Sequence, residues 1–246
     1  MIKVDKVSFS VNDKELLHNI SVEIPSSEIT VLIGENGSGK SSFLKLISGV
    51  WETKIGDIHY SDVDFKENMN KVKEQTGFLF ENPFFYESLC GEEFIKLVCN
   101  LRKNKFNKDK FNNFVELFQI EKFVDIPVFE LPKGVKQKFG IISVLMHNPK
   151  YILLDEPMNG LDPVSVKILK EILINEKKQG KTIILSTHIL EIAEKIGDRV
   201  IIIDKGEIIF AGNILELKKE QNNDVLEDIF INLTGGEKYK ELLSLI

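Results

Sequence analysis

An α/β fold built around a phosphate-binding loop is predicted by three observations. The run Gly34-Glu35-Asn36-Gly37-Ser38-Gly39-Lys40-Ser41 satisfies G-x-x-x-x-G-K-[ST] at every fixed position. It sits between Ile29-Thr30-Val31-Leu32-Ile33, a short β-branched run with the look of a buried strand, and Ser42–Ile47, which opens a helix. From residue 151 onward, apolar strand patterns alternate with helical ones, as a parallel sheet covered by helices requires.

The elements follow in order. Residues 3–9 and 20–24 alternate apolar and polar, so each reads as a strand with one exposed face, joined loosely through the Asn12-Asp13 turn. Residues 29–33, 57–60 and 76–80 are further strands. Residues 84–147 read as a helical subdomain, broken by Lys- and Asn-rich sequence at 102–110. Tyr151–Leu154 is an apolar strand that ends in Asp155-Glu156-Pro157, and Asp162 is placed to cap the helix after it. Thr182–Ser186 is another strand, followed by Thr187-His188, and residues 198–209 read as a strand pair. Residues 214–246, charged but containing Leu and Ile, read as a C-terminal appendix of two short helices.

Composition narrows the classes. The 246 residues suffice for one sizeable core or two small ones, and 43% hydrophobic with 28% charged residues is a globular balance. No apolar run approaches the ~20 residues of a membrane span. The charged N-terminus lacks the apolar stretch of a secretion signal. A net charge of −6 weighs against bulk electrostatic attraction to nucleic acid, so no nucleic-acid partner is expected. Cys90 and Cys99 fall in one predicted helix, ~13 Å apart along its axis, too far for a disulfide. Most of the 17 phenylalanines fall between Phe78 and Phe129. Phe111, Phe114 and Phe118 form one helix stripe and explain themselves as core. Phe84, Phe85 and Tyr86 follow Pro83 in a loop, where an aromatic patch suits a partner surface better than packing.

Three strand ends carry the chemistry. In a parallel sheet, ligand groups gather beyond the carboxyl ends of the strands. The glycine loop and the helix start after it offer backbone N–H groups to phosphates, Lys40 reaches the β- and γ-phosphates, and the Ser41 hydroxyl ligates Mg²⁺. A purely structural glycine turn is the alternative, and strand, loop and helix together weigh against it. Asp155 emerges near that metal, and Glu156, one residue on, suits proton abstraction from an attacking water. The other account of this acidic pair, a helix cap, is disfavoured by the intervening Pro157 and Asn159-Gly160. His188 follows an apolar strand to the same sheet edge, within reach of the γ-phosphate; a lone His is more often structural, and the strand-end position weighs against that alternative.

The phosphate loop, Tyr151–Pro157 (YILLDEP), Asn159–Asp162 (NGLD) and Ser186–His188 (STH), in this order and spacing, resemble the nucleotide-binding subunit of an ATP-binding-cassette (ABC) transporter over residues 1–213. The resemblance implies a phosphate-loop ABC-ATPase core with an N-terminal antiparallel sheet. It implies ATP and Mg²⁺ as cofactors, with phosphates held by Gly34, Glu35, Asn36, Gly37, Ser38, Gly39, Lys40, Ser41 and Ser42. Ser41, Glu81 and Asp155 would be at the metal, and Glu156 and His188 would be catalytic. It also implies two cassettes sandwiching two ATP molecules, a separate integral membrane permease, and a cytoplasmic position peripheral to the membrane through that permease.

Three positions depart from the family pattern. Glu81 stands where the family usually has a glutamine that touches Mg²⁺ and water; a carboxylate can also ligate Mg²⁺, and ABC-2 type exporter cassettes often show this acidic version. Leu131-Pro132-Lys133-Gly134 aligns with the start of the motif L-S-G-G-Q, which reaches the opposite γ-phosphate across the dimer. Pro132 offers neither hydroxyl nor N–H there, Lys133 brings a point charge, and Gly134 with the helix start remains. Val11 matches the aromatic that stacks on adenine; Phe9, two residues earlier, is either a partial substitute or core. A homodimer is expected, with a heterodimer as the other possibility. The rival function is an ABC ATPase that moves no solute, such as an Fe–S cluster assembly ATPase.

Overall fold

The computed structural model describes residues 1–235 apart from Asp13, Asp62, Lys66 and Glu67. The chain opens with β1 (Ile2–Val11) and β2 (Lys14–Ile24), a long antiparallel ribbon. Both strands outrun the segments read from alternation. The register shifts between Val4 and Val7 and again near Phe9, and Lys6 and Asn19 adopt φ of 50° and 46°. Such bulges break the two-residue period, so Leu16-Leu17-His18-Asn19 does not look like a strand in the sequence. Asp13 of the expected turn lies outside the described residues.

Next come β3 (Ile29–Ile33) and α1 (Lys40–Ile47), then β4 (Ile55–Tyr60) and β5 (Val63–Asp64). These two complete a four-stranded antiparallel sheet of order β2-β1-β4-β5. The helix α2 (Met69–Gln75) was not expected; at seven residues it is too short to display a helical period. After β6 (Thr76–Leu79) come α3 (Gly91–Leu101), α4 (Lys108–Leu117), two short 3₁₀ turns, and α5 (Lys133–Met146). The break between α3 and α4 falls in the Lys- and Asn-rich stretch. The rest alternates: β7 (Tyr151–Leu154), α6 (Pro163–Lys178), β8 (Thr182–Thr187), α7 (Leu190–Ile196), β9 (Arg199–Asp204), β10 (Glu207–Asn213), α8 (Ile214–Glu220) and α9 (Leu226–Leu233).

The second sheet has the order β10-β9-β3-β8-β7-β6, parallel except for the β9–β10 hairpin at one edge. Every residue of β3, β7 and β8 is buried, as expected of a sheet covered on both faces. Alternate side chains divide between two cores. Val31, Ile152, Leu154, Ile183 and Leu185 face the helices α3 to α6. Leu32, Tyr151, Leu153 and Ile184 face α1 and the antiparallel sheet. Phe111 and Phe118 are fully buried and Phe114 packs against the same core, so the stripe on α4 is structural. In the loop after Pro83 the aromatic trio splits: Phe84 and Tyr86 are 79% and 56% exposed, whereas Phe85 turns inward onto Phe94, ring centroids 4.6 Å apart.

Ile214, Leu217, Leu226 and Ile229, from the segment read as an appendix, enter the helix-facing core. Residues 236–246 of that segment lie outside the described residues. Cys90 precedes α3, Cys99 lies within it, and both are free. Among the described residues no helix is long and apolar enough to cross a membrane.

Candidate functional site

The loop from β3 to α1 is shaped by close approaches. Gly37 and Gly39 take φ of 83° and 114°, a region costly for residues with a Cβ. A Cβ on Gly39 would lie 2.9 Å from Leu17 of β2, and one on Gly34 would lie 2.3 Å from the Ile203 carbonyl of β9. The β9–β10 turn braces the loop from below, with the Gly206 N–H donating to the Ser38 carbonyl at 2.8 Å. Gly39 caps α1 without a side-chain bond. The first N–H groups of that helix therefore remain available to an anion, reinforced by the helix dipole.

Lys40 is buried, and its ammonium donates to the Gly34 and Glu35 carbonyls at 2.8 and 3.0 Å. Burial lowers its pKa, while the negative charges of Glu156, Asp155 and Glu81 act in the opposite direction. The loop, Glu81, Glu156 and β2 enclose a cavity of about 380 Å³. Its floor is Asn36, Gly37, Gly39, Lys40, Ser41 and Ser42, and Lys14 and Leu16 form a wall. That wall was not anticipated, because the bulged ribbon hides the first half of β2.

The carboxylates arrive at the end of β7. Asp155 is 1% exposed. Glu156 takes φ of 46°, unusual for a residue with a side chain, and is also buried. Its carboxylate accepts from His188 Nδ1 at 3.0 Å and lies 4.0 Å from the Lys40 ammonium. One residue not singled out in the sequence joins the group. The fully buried Ser186 hydroxyl donates to Asp155 Oδ1 at 2.7 Å and accepts the Glu156 N–H at 2.9 Å. Only its place two residues before His188 hinted at this.

Asp155 and Glu156 are not caps. Asp162 caps α6, accepting from the Ser165 N–H at 2.9 Å and the Ser165 hydroxyl at 2.7 Å. Those bonds, together with Lys138, hold its carboxyl well below the usual range.

Pro132, Lys133, Gly134 and Val11 are among the predicted residues that do not line the cavity. Pro132 caps α5 with no side-chain bond, and Pro132 and Lys133 are exposed. Gly134 is pressed against the turn that follows Glu156: an added Cβ would meet the Gly160 carbonyl at 2.5 Å. Gln137 fastens the same junction, donating to the Pro157 carbonyl at 3.1 Å. Val11 is 39% exposed and does not line the cavity. Phe9 stacks on Trp51, centroids 5.0 Å apart, and packs against the second core, which favours the core reading of this residue.

The cradle fits a polyphosphate: positive-φ glycines, an uncapped helix start, a buried ammonium, and the buried Ser38 hydroxyl, which has no protein partner. It also fits a divalent ion of the magnesium type. No cluster of three or more His, Cys, Asp or Glu among the described residues forms a cage. Mg²⁺ is commonly held by one or two carboxylates, water and substrate phosphates, which suits a cavity lined by Ser41 and Glu81 with the charge of Asp155 acting on Lys40 beside it.

The chain is similar to known proteins. Residues 17–159 match the family model described as ABC transporter. The lantibiotic transport ATP-binding protein SrtF of Streptococcus pyogenes is 32% identical over 97% of this chain and 99% of its own. The bacitracin transport ATP-binding protein BcrA of Enterococcus faecalis is 28% identical over 89% of this chain and 71% of its own. A solved ATP-binding subunit of an ABC transporter superposes with a TM-score of 0.86 at 26% identity, covering 95% of this chain and 99% of that one. Phosphate cradle, carboxylate pair and histidine thus occur in a chain that matches such subunits end to end, and the protein belongs to the ABC transporter family as one of its ATP-binding, ATPase subunits.

Proposed function

We propose that this chain hydrolyses ATP to power a separate membrane permease that exports its cargo. The observation that carries the catalytic half is the contact set around Glu156, with Lys40 on one side, His188 on the other and the phosphate cradle beneath. The loop N–H groups and Lys40 bind the β- and γ-phosphates of ATP. Ser41 and Asp155, with Glu81 alongside, hold Mg²⁺, which when bound neutralises charge on the phosphates. Glu156 takes a proton from the attacking water. His188, a donor to Glu156 through Nδ1, fixes the carboxylate and faces the γ-phosphate. Little covalent chemistry falls to the protein, so the rate comes from positioning and charge stabilisation.

Pro132 and Lys133 are exposed, and neither they nor Gly134 lines their own chain's cavity, which supports a head-to-tail pair in which α5 of one copy faces the nucleotide of the other. Export is supported by the names of the lantibiotic and bacitracin transport relatives and by Glu81. A permease is supported by the surface between β6 and α3. There a groove of about 250 Å³ is walled by Phe80, Pro83, Phe84, Phe94 and Val98, with Leu101 68% exposed at its end. Exposed aromatic anchors beside a pocket suit a docked helix.

Calorimetry on Lys40→Ala tests the phosphate reading. MgATP binding at micromolar affinity in the wild type is expected to vanish in the variant; retained micromolar affinity would contradict the role given to the loop.

A further inference from the structure

Asp155 and Glu156 leave β7 side by side but must do different work, so their relative placement matters. β8 controls both. It pairs with β7 in parallel, Leu154 opposite Leu185, so Ser186 is the next residue along, beside the two carboxylates. An ionised carboxylate only accepts, so the single hydroxyl hydrogen of Ser186 goes to Asp155 Oδ1, and a lone pair takes the Glu156 N–H. Two residues on, His188 holds the other end of Glu156 through its carboxylate. The backbone of Glu156 sits at φ 46° between these two anchors, a conformation that persists only where its surroundings enforce it.

We propose that Ser186 is a positioning residue for ATP hydrolysis: its hydroxyl fixes the metal carboxylate Asp155 and the base Glu156 relative to each other. Without it, Asp155 loses a charge-assisted bond, a buried N–H loses its acceptor, and the positive-φ turn loses one of its two restraints. This rests on the roles proposed above for Asp155 and Glu156. Partners that orient a metal-ligating carboxylate typically change metal affinity or activity by ~10–100-fold when removed.

The test compares Ser186→Thr with Ser186→Val, which have the same shape and differ in the hydroxyl. ATP affinity is measured by calorimetry with Mg²⁺ and with EDTA, and kcat and KM by steady-state hydrolysis. The expected result is a Thr protein within about threefold of wild type in all of them. The Val protein is expected to keep its affinity in EDTA, to lose at least ~10-fold of the increment that Mg²⁺ adds, and to lose at least ~10-fold in kcat. Ser186→Ala, which adds no volume, makes the same comparison if Val disturbs the sheet. Asp155→Asn separates the two levels of the reading. If Asp155→Asn retains the Mg²⁺ increment, the metal role of Asp155 falls, and the inference with it. If Asp155→Asn loses the increment while Thr and Val proteins behave alike, the role of Ser186 alone is overturned.

Discussion

Glu156 carries the account at the scale of single residues. A buried carboxylate costs free energy unless it is paired, and here an ammonium at 4.0 Å and an imidazole at 3.0 Å are its partners. ATP would draw Lys40 toward its phosphates, which leaves Glu156 to the histidine and to water. Recognition of the base of ATP is a separate residue-scale question. The sequence resemblance aligns Val11 with the family's adenine-stacking aromatic; Val11 is exposed, while Phe9 is committed to Trp51. Val11→Tyr is therefore expected to tighten ATP binding, because stacking of a base on an aromatic is worth ~1–3 kcal/mol in nucleic-acid complexes. A titration that gives unchanged affinity would mean that Lys14, Leu16 or another group already covers the adenine.

At the scale of elements, α5 links the site to the far end of the fold. Its first turn is pressed on Gly160 and its last residue is followed by His147, which is 6% exposed. Burial first, then the positive charge of Arg102, pushes the His147 pKa down to about 4. The unfolded chain binds this proton near the ordinary value of ~6.5. Between the two values the unfolded state carries more protons, so stability rises with pH across the window. It is fully present above the unfolded value and is lost as pH falls toward the folded one. The shift corresponds to about 3 kcal/mol. His147→Gln should flatten this slope: in urea melts at about pH 4.5 and 7.5 the variant should lose ~2 kcal/mol less than wild type on acidification. Parallel losses would show that His147 does not titrate as its burial requires.

The same scale shows what the sequence could and could not reveal. β3, β7 and β8 were legible because they are apolar along their whole length, and the phosphate loop because its glycines are demanded by geometry at fixed spacing. Asp162 was recognisable as a cap from the helix that follows it. The first half of β2 was not legible, since register shifts between Ile20 and Leu17, where Asn19 takes a positive φ, and between Leu17 and Glu15 destroy its period, and with it went Lys14 and Leu16 as cavity walls. Ser186 was hidden for a different reason. Inside an apolar strand its hydroxyl has meaning only through a neighbouring strand, and strand order is a long-range property. Phe85 was grouped with Phe84 and Tyr86 because adjacent loop residues carry no burial period that would separate them.

At the scale of the whole molecule, the sheet holds loop, carboxylates and histidine at one edge, while Pro132, Lys133 and Gly134 at the start of α5 are not among the residues lining the cavity there. On the proposed reading a single chain supplies the cradle and the base, and those three residues serve the nucleotide of the other copy. In a dimer, Pro132 offers the opposite phosphate no hydroxyl and no N–H. A lost hydrogen bond to a charged group is worth ~1.5–3 kcal/mol, so ATP alone should join two copies weakly, and the permease would help hold them together. Whatever the strength of that pairing, hydrolysis should depend on Glu156. The most direct measurement is steady-state ATP hydrolysis by Glu156→Gln beside its MgATP affinity. The substitution keeps size and hydrogen bonding but removes the base. The account predicts retained binding, turnover reduced at least ~100-fold, and ATP accumulating unhydrolysed on the protein. Turnover close to wild type would contradict it.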